Sequence, residues 1–269
     1  CLIAKPDYGI ITNVGPAHLE GFGSLEGVLK AKSELFEHLR KVNGIAIFNE
    51  KDNMLTEKIF KLVNRAVPYS DPCGFKLEIQ ELPSDSSLCL QAVYKQNTYD
   101  LETNLFGRFN LDNVRAAIAT GLFFGVPMPD IVDAIREYRP QDNRSQVRST
   151  GLNTLICDAY NANPASMKLA IESFASLSTV PKMLILGDML ELGDKTEEEH
   201  LNILKLISGY EFDNVLLAGQ IFSKLSSDFG ITSFPDTAAL ADYLEREKIK
   251  GNHILIKGSR GMKLEQIFK

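Results

Sequence analysis

The chain has 269 residues, a formal net charge of −6 and a pI of about 5.4; 44% of its residues are hydrophobic and 24% are charged. This length suits one large domain or two ordinary ones, and the composition is that of a globular protein. The sequence contains no dense Lys and Arg cluster typical of nucleic-acid binders, and no apolar run near the roughly 20 residues that span a membrane. We therefore expect neither nucleic acid nor a membrane span.

The cysteines and the start of the chain bear on compartment and completeness. None of the four cysteines lies in a C-x-x-C pair, which in a chain of this length indicates reduced thiols, not a disulfide framework. The sequence carries no signal peptide, so the expected location is the cytoplasm. The chain opens on Cys1, and its first five residues resemble the last turn of a helix. We expect that it begins inside a domain.

The first half of the sequence predicts an α/β region followed by antiparallel strands. Apolar runs over residues 8–13 and 44–49 predict buried strands. Ser24 is predicted to cap a helix over residues 25–39, and Asp52 to open a helix that ends near Val63. Alternating stretches between residues 66 and 105, separated by Pro, Gly, Ser and Asp, predict antiparallel strands. The remaining predicted helices cover residues 111–124 and 129–138.

A polar segment around Pro140 marks the predicted boundary between a domain of residues 1–140 and a domain of residues 141–269. Beyond it, short apolar strands alternate with helices, which predicts a parallel sheet with helices on both faces. Thr196 and Glu199 have the spacing of a capping box at one helix start. The predicted strands cover residues 154–157, 183–186, 215–218 and 253–256, and the predicted helices begin near Pro164, Thr196, Ile221 and Thr237.

Two common nucleotide-binding motifs are absent from the sequence. There is no G-x-x-x-x-G-K-[ST] phosphate loop and no Rossmann G-x-G-x-x-G. The glycine clusters at residues 187–193 (GDMLELG) and 258–261 (GSRG) do not replace either motif. The second half is therefore not predicted to bind NAD.

Two polar segments of the first half are candidates for a site. Residues 11–24 (ITNVGPAHLEGFGS) place His18 just past a strand end, where ligands collect in parallel α/β folds, and Lys32 follows fourteen positions later. In residues 107–117 (GRFNLDNVRAA), Asn110 can cap a helix and Asn113 offers an amide that can read a nucleobase edge. Taken alone, these residues also fit a capping His, a solvent-facing Lys and polar residues at a helix start.

Two further candidates lie in the second half. Residues 158–164 (DAYNANP) combine an Asp at a strand end, a polar turn and a Pro at the first helical position, a pattern typical of ribose or phosphate contact. Arg144 can bind a phosphate through two N–H groups. A capping Asn and a surface Arg are the simpler alternatives. In residues 186–193 (LGDMLELG), Asp188 and Glu191 follow another strand and can equally be solvated carboxylates.

Together, these segments closely resemble the Mur ligases of peptidoglycan precursor synthesis. The similarity is carried, in order and over nearly the whole chain, by ITNVGPAHLEGFGS, AKSELF, GRFNLDN, DAYNANP, LGDMLELG and IKGSRGMKLE. It implies an α/β fold with the rear part of a central ATPase domain, which includes an antiparallel region, followed by a Rossmann-like, doubly wound C-terminal domain. It also implies that a UDP-binding domain and the phosphate-loop part of the central domain belong to a missing N-terminal part of the same protein.

The resemblance implies a metal site in the first half. His18 matches the family's Mg²⁺-liganding histidine, and Lys32 matches the lysine that is carbamylated in the family. A neutral amine that adds CO₂ becomes an anionic carbamate with two oxygen atoms, which suits the preference of Mg²⁺ for oxygen ligands.

The resemblance also implies contacts with ATP. Asn110 and Asn113 match asparagines near the adenine. Arg144 and Asp158 match residues that contact the γ-phosphate and the ribose, and Asn161 belongs to the turn after that aspartate. His18, Lys32 and Arg144 would thus form the catalytic set.

The implied reaction is the ATP- and Mg²⁺-dependent addition of D-Ala-D-Ala to UDP-MurNAc-tripeptide through an acyl phosphate. Because the phosphate loop is absent, the chain alone is expected to be inactive. One alternative is a related ligase that adds a single amino acid or acts on another polymer, although LGDMLELG and YNANP argue against it. The other is a non-catalytic fragment that binds nucleotide or dipeptide, which the absent loop favours.

Overall fold

The structure is a computed structural model that describes residues 1–14, 22–84 and 87–268. It divides into two compact units. The first unit contains Cys1–Pro83, Cys89–Thr103 and Phe109–Tyr138, and the second contains Ser84–Leu88, Asn104–Arg108 and Arg139–Lys269. In the described part of the chain, no helix is long and apolar enough to cross a bilayer. The four cysteines are free thiols, as predicted.

The first unit contains a three-stranded parallel sheet. Its order is β1 (Tyr8–Ile10), β2 (Ile45–Phe48) and β3 (Arg65–Pro68). The central strand β2 is buried at every position. The prediction of a buried strand over residues 8–13 is only partly right, because β1 is short and its Tyr8 is 48% exposed at the sheet edge. The prediction of antiparallel structure from residue 66 onward is wrong for β3, which pairs in parallel with β2.

Two helices pack beside this sheet, α1 (Leu25–Val42) and α2 (Asn53–Leu62). The predicted caps are confirmed: Ser24 Oγ accepts the Gly27 N–H at 3.1 Å, and Asp52 Oδ1 accepts the Leu55 N–H at 3.0 Å. The core of this region is formed by apolar side chains of both helices and of β2, including Phe36, Leu39, Phe48, Leu55 and Ile59.

The antiparallel sheet predicted for the first half is confirmed. It consists of β4 (Leu77–Leu82), β5 (Cys89–Tyr94) and β6 (Asn97–Glu102), with β5 in the centre. Alternate β5 residues are buried, as expected for a strand with one face on a core. Two helices follow, α3 (Leu111–Phe123) and α4 (Met128–Glu137), close to the predicted bounds.

A six-stranded sheet forms the centre of the second unit. The strand order is β11-β10-β9-β12-β8-β7, and all neighbours are parallel except β7, which pairs antiparallel with β8. The strands β7 and β11 were not predicted. The sheet is mixed instead of purely parallel because β7 is antiparallel, whereas β11 pairs in parallel with β10. The strands are β7 (Gln146–Ser149), β8 (Thr154–Asp158), β9 (Lys182–Gly187), β10 (Asn214–Ala218), β11 (Thr232–Phe234) and β12 (His253–Lys257).

Both faces of this sheet are covered, as predicted. On one face, Leu240 and Leu244 pack into a core with Met183, Ile254 and other strand residues. Strand residues that point the other way, such as Leu184, are also fully buried. The helices are α5 (Pro164–Ala175), α6 (Thr196–Ile207), α7 (Gln220–Leu225) and α8 (Thr237–Glu247), of which α8 carries the two leucines.

The predicted capping box at Thr196 and Glu199 is wrong. Thr196 is the first residue of α6, and its hydroxyl donates to the carbonyl of Gly193 at 2.7 Å. A capping box does occur at α5, where the Asn163 side chain accepts the Ser166 N–H and the Ser166 hydroxyl accepts the Asn163 N–H. This reciprocal pair fixes the end of the polar turn that follows β8.

Candidate functional site

A buried ion pair joins the carboxyl ends of β8 and β12. Lys257 is 1% exposed, and its Nζ donates to Asp158 Oδ2 at 2.6 Å and to the Asn161 carbonyl oxygen at 3.2 Å. Asp158 Oδ1 accepts the Ser145 N–H at 3.0 Å. Because each charge has close partners, the site tolerates both charges away from water. The pair therefore fixes the carboxylate of Asp158 and the turn that follows it.

Ser145 connects this pair to the segment that carries Arg144. Three residues around Arg144 have left-handed backbone conformations: Asp142 at φ 56°, Asn143 at φ 54° and Ser145 at φ 51°. Such conformations cost energy in residues other than glycine, so tertiary contacts must hold them. The hydrogen bond from Ser145 to Asp158 is one such contact. It places the exposed Arg144 beside the turn after β8, where its Cζ lies 3.6 Å from the ring centroid of Tyr160.

The turn itself is fixed at both ends and exposed in the middle. At one end Lys257 binds the carbonyl oxygen of Asn161, and at the other Asn163 caps α5. Pro164 occupies the first helical position, where its missing N–H costs nothing. The side chain of Asn161 remains exposed. The predicted residues Arg144, Asp158 and Asn161 thus lie together in the second unit.

The neighbouring loop after β9 is anchored by two buried side chains. The Asp188 carboxylate accepts the N–H groups of Ile221 and Phe222 at 3.0 and 2.9 Å, so it caps the first turn of α7. His200 is fully buried, and its Nε2 accepts the Met189 N–H at 3.0 Å. The alternative that Asp188 is a solvated carboxylate is therefore wrong, because Asp188 is 3% exposed and caps a helix.

The hydrogen bonds of His200 define its neutral form. Because Nε2 accepts a backbone N–H, the ring proton is assigned to Nδ1, which donates to the Thr196 carbonyl at 2.6 Å. Burial lowers the pKa of His200 below its ordinary value, against the opposing effects of this carbonyl and of Asp188 at 3.6 Å. Protonation would place two N–H groups against each other at Met189.

Ser259 joins the loops that follow β9 and β12. Its N–H donates to the Asp188 carbonyl at 3.2 Å, and its Oγ accepts the Leu190 N–H at 2.9 Å. The loops after β8, β9 and β12 are therefore connected by hydrogen bonds at the carboxyl ends of the strands, where ligands of open α/β folds bind.

In the first unit, Lys32 lies at the carboxyl end of β1. Its Nζ donates to the carbonyl oxygen of Asn13 at 2.9 Å, and its side chain is exposed on α1. The predicted partner, His18, lies outside the described residues. Among the described residues, no group of three or more His, Cys, Asp or Glu side chains is arranged to hold a metal ion.

Asn110 and Asn113 are brought together at the start of α3. The Asn113 amide donates to Asn110 Oδ1 at 3.0 Å, and Asn110 is 7% exposed. The expectation that the Asn110 side chain caps the helix is wrong, because it makes no hydrogen bond to the first-turn N–H groups.

Sequence reasoning missed a second buried ionic cluster, which lies beside these asparagines. Arg115 is 7% exposed; it donates to Glu50 Oε1 and to Asp112 Oδ1, each at 3.0 Å. Tyr69 lies below the guanidinium, and burial raises its pKa to about 12. The cluster joins α3 to the loop after β2. The long separation of Glu50 from Arg115 in sequence left no local pattern to reveal it.

Comparison with known proteins identifies the family. The Mur ligase middle domain matches residues 1–121, and the Mur ligase glutamate ligase domain matches residues 143–260. The UDP-N-acetylmuramoyl-tripeptide--D-alanyl-D-alanine ligase of Bacillus subtilis is 31% identical over 280 residues, which cover 99% of this chain. The chain belongs to the Mur ligase family. It spans 59% of the length of that Mur ligase.

Solved Mur ligase structures have the same fold. The MurF crystal structure from Acinetobacter baumannii superposes with a TM-score of 0.80 at 26% identity and covers 98% of this chain and 59% of its own. MurF from Thermotoga maritima, solved in complex with ADP, gives a TM-score of 0.79 at 22% identity and covers 99% and 62%. The mixed α/β architecture of this chain is therefore that of Mur ligases.

Proposed function

We propose that this chain is part of an ATP-dependent ligase that adds D-Ala-D-Ala to UDP-MurNAc-tripeptide. The observation that carries the proposal is the similarity over 99% of the chain to a ligase of that name. The bonded loops after β8, β9 and β12 support it, because they form a preorganised edge in the unit that matches the glutamate ligase domain. We propose a functional boundary near residue 140 and a cytoplasmic location.

ATP and Mg²⁺ are the proposed co-substrate and metal. The Thermotoga maritima relative binds ADP, the product that ATP would leave. In this chain, the exposed amine of Lys32 beside the strand-end carbonyl of Asn13 is accessible to CO₂. As a carbamate it would supply oxygen ligands, with His18 as its proposed partner. When bound, Mg²⁺ would neutralise charge on the phosphates.

The proposed roles of the remaining residues follow from their chemistry. Arg144 is proposed to bind the γ-phosphate, because its exposed guanidinium presents several N–H donors. Asp158 is proposed to bind the ribose; each of its oxygens keeps acceptor capacity beyond the bonds to Ser145 and Lys257. Asn161 would contact the nucleotide beside it. Asn110 and Asn113 are proposed to lie near the adenine.

The proposed reaction has two steps. A carboxylate oxygen of the tripeptide attacks the γ-phosphorus, and the bond to the ADP oxygen breaks. The amine of D-Ala-D-Ala then attacks the carbonyl carbon of the acyl phosphate, loses a proton and displaces phosphate. The protein contributes mainly positioning, charge neutralisation and exclusion of water, which would otherwise hydrolyse the acyl phosphate.

We further propose that a preceding segment supplies the phosphate loop, since this chain contains none. The complete ligase is this chain preceded by that segment. It should release phosphate only when UDP-MurNAc-tripeptide and D-Ala-D-Ala are both present, whereas the chain alone should not. Phosphate release by the complete ligase with single amino acids in place of D-Ala-D-Ala would contradict the proposed acceptor.

Replacement of Lys32 tests the metal site. In the complete ligase, Lys32→Ala should lose orders of magnitude in rate, and added acetate or formate should restore part of it by occupying the vacated anion position. Lys32→Arg should not be rescued, because its guanidinium stays charged and fills the space. Lys30→Ala, a matched exposed lysine on the same helix, should keep full activity. Normal activity of Lys32→Ala would exclude the carbamate.

A further inference from the structure

Two arginines share one tyrosine ring in the second unit. Arg144 Cζ lies 3.6 Å from the centroid of Tyr160, and Arg260 Cζ lies 5.2 Å from the same centroid. Both arginines are exposed, and neither guanidinium forms an ion pair with a carboxylate anywhere in the described part of the chain. Stacking on the aromatic ring compensates only part of the repulsion between two cations. The two guanidinium groups therefore present exposed N–H donors that no carboxylate of the described residues accepts, an arrangement that favours an anionic ligand.

The position of Arg260 is fixed by its neighbours in the chain. It follows Ser259, which is buried and bonded to the loop after β9 through Asp188 and Leu190. A Cβ atom on Gly261 would lie 2.8 Å from Leu190 Cδ1, so the two loops are in close contact immediately after Arg260. Arg260 thus starts from a fixed backbone and is not the tip of a free loop.

The geometry favours different anionic groups for the two arginines. If Arg144 binds the transferred phosphate, the attacking amine of the acceptor must lie beside that phosphate. The distances of the two Cζ atoms from the shared ring set an upper limit on the separation of the guanidinium groups. An extended dipeptide, about 7 Å long, falls within that limit, so a dipeptide whose amine lies near Arg144 is long enough to place its free carboxylate at Arg260.

We propose that Arg260 binds the terminal carboxylate of the acceptor dipeptide and selects acceptors with a free C-terminus. A planar guanidinium binds a carboxylate through two parallel N–H···O bonds, which gives direction as well as affinity. Arg144 and Arg260 both pack against the ring of Tyr160. This inference rests on the proposed function and adds the residue that recognises the far end of its acceptor.

The test uses two acceptors and three proteins. D-Ala-D-Ala and D-alanyl-D-alaninamide, which lacks the negative charge, are compared in the complete ligase as wild type, Arg260→Ala and Arg246→Ala. Arg246 is the matched control, an exposed arginine on α8. Wild type and Arg246→Ala should prefer the free carboxylate roughly 10- to 100-fold in kcat/KM, as charge-assisted hydrogen bonds allow. Arg260→Ala should lose this preference through a raised KM for D-Ala-D-Ala, with the KM for ATP unchanged.

Binding provides a second readout that does not depend on turnover. Calorimetry should show weaker D-Ala-D-Ala binding to Arg260→Ala by the same factor, and Arg260→Lys should recover part of it. If Arg260→Ala still prefers D-Ala-D-Ala over the amide, or if its KM for ATP rises instead, the inference is wrong and the proposed function stands. If wild type does not use D-Ala-D-Ala at all, the proposed function fails and the inference fails with it.

Discussion

The two units contain lysines in opposite environments. Lys32 in the first unit is exposed and donates to a single backbone carbonyl, whereas Lys257 in the second unit is buried and donates to three oxygen atoms of Asp158 and Asn161. A buried amine with three oxygen partners holds its neighbours in place. An exposed amine with one backbone partner is accessible to small reactants. We therefore expect Lys257 to position its neighbours and Lys32 to take part in the chemistry.

The largest effect expected from this comparison is on stability. Lys257→Met leaves the Asp158 carboxylate, which is 15% exposed, with only Ser145 as a partner. Breaking a buried ion pair in this way costs about 3–5 kcal/mol. The free energy of unfolding, measured by urea denaturation, should fall by that amount. Lys32→Met, the matched change in the first unit, should change it by no more than about 0.5 kcal/mol.

A double replacement separates charge from packing. Asp158→Asn combined with Lys257→Met removes both charges, so the double variant should be more stable than Lys257→Met alone. If the free energy of unfolding lost by the double variant equals the sum of the losses of the two single variants, lost packing and not an unpaired charge explains the effect. The difference in stability between the Lys257 and Lys32 variants would then not be electrostatic in origin.

Most of the fold could be predicted from the sequence because its elements are locally encoded. Helices with a capping side chain and apolar periodicity, such as α1 and α5, were predicted within a few residues. The missed strands β7 and β11 are short and half-exposed, so neither carries a periodic apolar pattern. β3 was given the wrong direction because its partner is set by the α2 connection, which a strand pattern does not encode.

The candidate site was predictable only in part. Asp158 and Asn161 are placed by chain topology, because they lie at the carboxyl end of β8, where the parallel strands of the sheet end together. Arg144 precedes the antiparallel strand β7, whose start lies at that same edge. Lys257, which binds Asp158 and Asn161, comes from the other end of the second unit, and so does Arg260, which packs on Tyr160. Only the folded sheet places β12 beside β8. His18 and Lys32 rest on the family resemblance, and their metal-binding role stays a prediction.

A smaller effect is expected at the start of α5. Asn163→Ala removes a side chain that accepts the Ser166 N–H at 2.8 Å, and loss of such a cap costs about 1 kcal/mol. Asn110→Ala at the start of α3 in the first unit removes no capping hydrogen bond, so it should not lose stability through a lost cap. Thermal unfolding of Asn163→Ala should show the loss.

The control for this cap is Asn163→Asp, which keeps an acceptor oxygen near the positive end of the helix. It should be at least as stable as the wild type. Equal destabilisation by Asp and Ala would mean that the amide N–H groups of Asn163 matter more than its oxygen, and the cap would not be the reason for the effect.

The smallest effect concerns pH and the buried His200, which has no charge at neutral pH. Its pKa is lowered in the folded chain mainly by burial, whereas the unfolded chain titrates near the ordinary value of 6.5. Well above pH 6.5 both states are neutral, and His200 contributes no pH dependence. As pH falls below 6.5, the unfolded state binds a proton that the folded state does not, so stability decreases until the folded-state pKa is reached.

His200→Gln isolates this contribution. Glutamine keeps an oxygen that can accept the Met189 N–H, but it does not titrate, so the variant should lose less stability than the wild type between pH 7.5 and 5.5. Urea unfolding at four pH values across this range measures the difference. Parallel curves would show that protonation of His200 does not contribute to the loss of stability in this range, and another group would have to account for it.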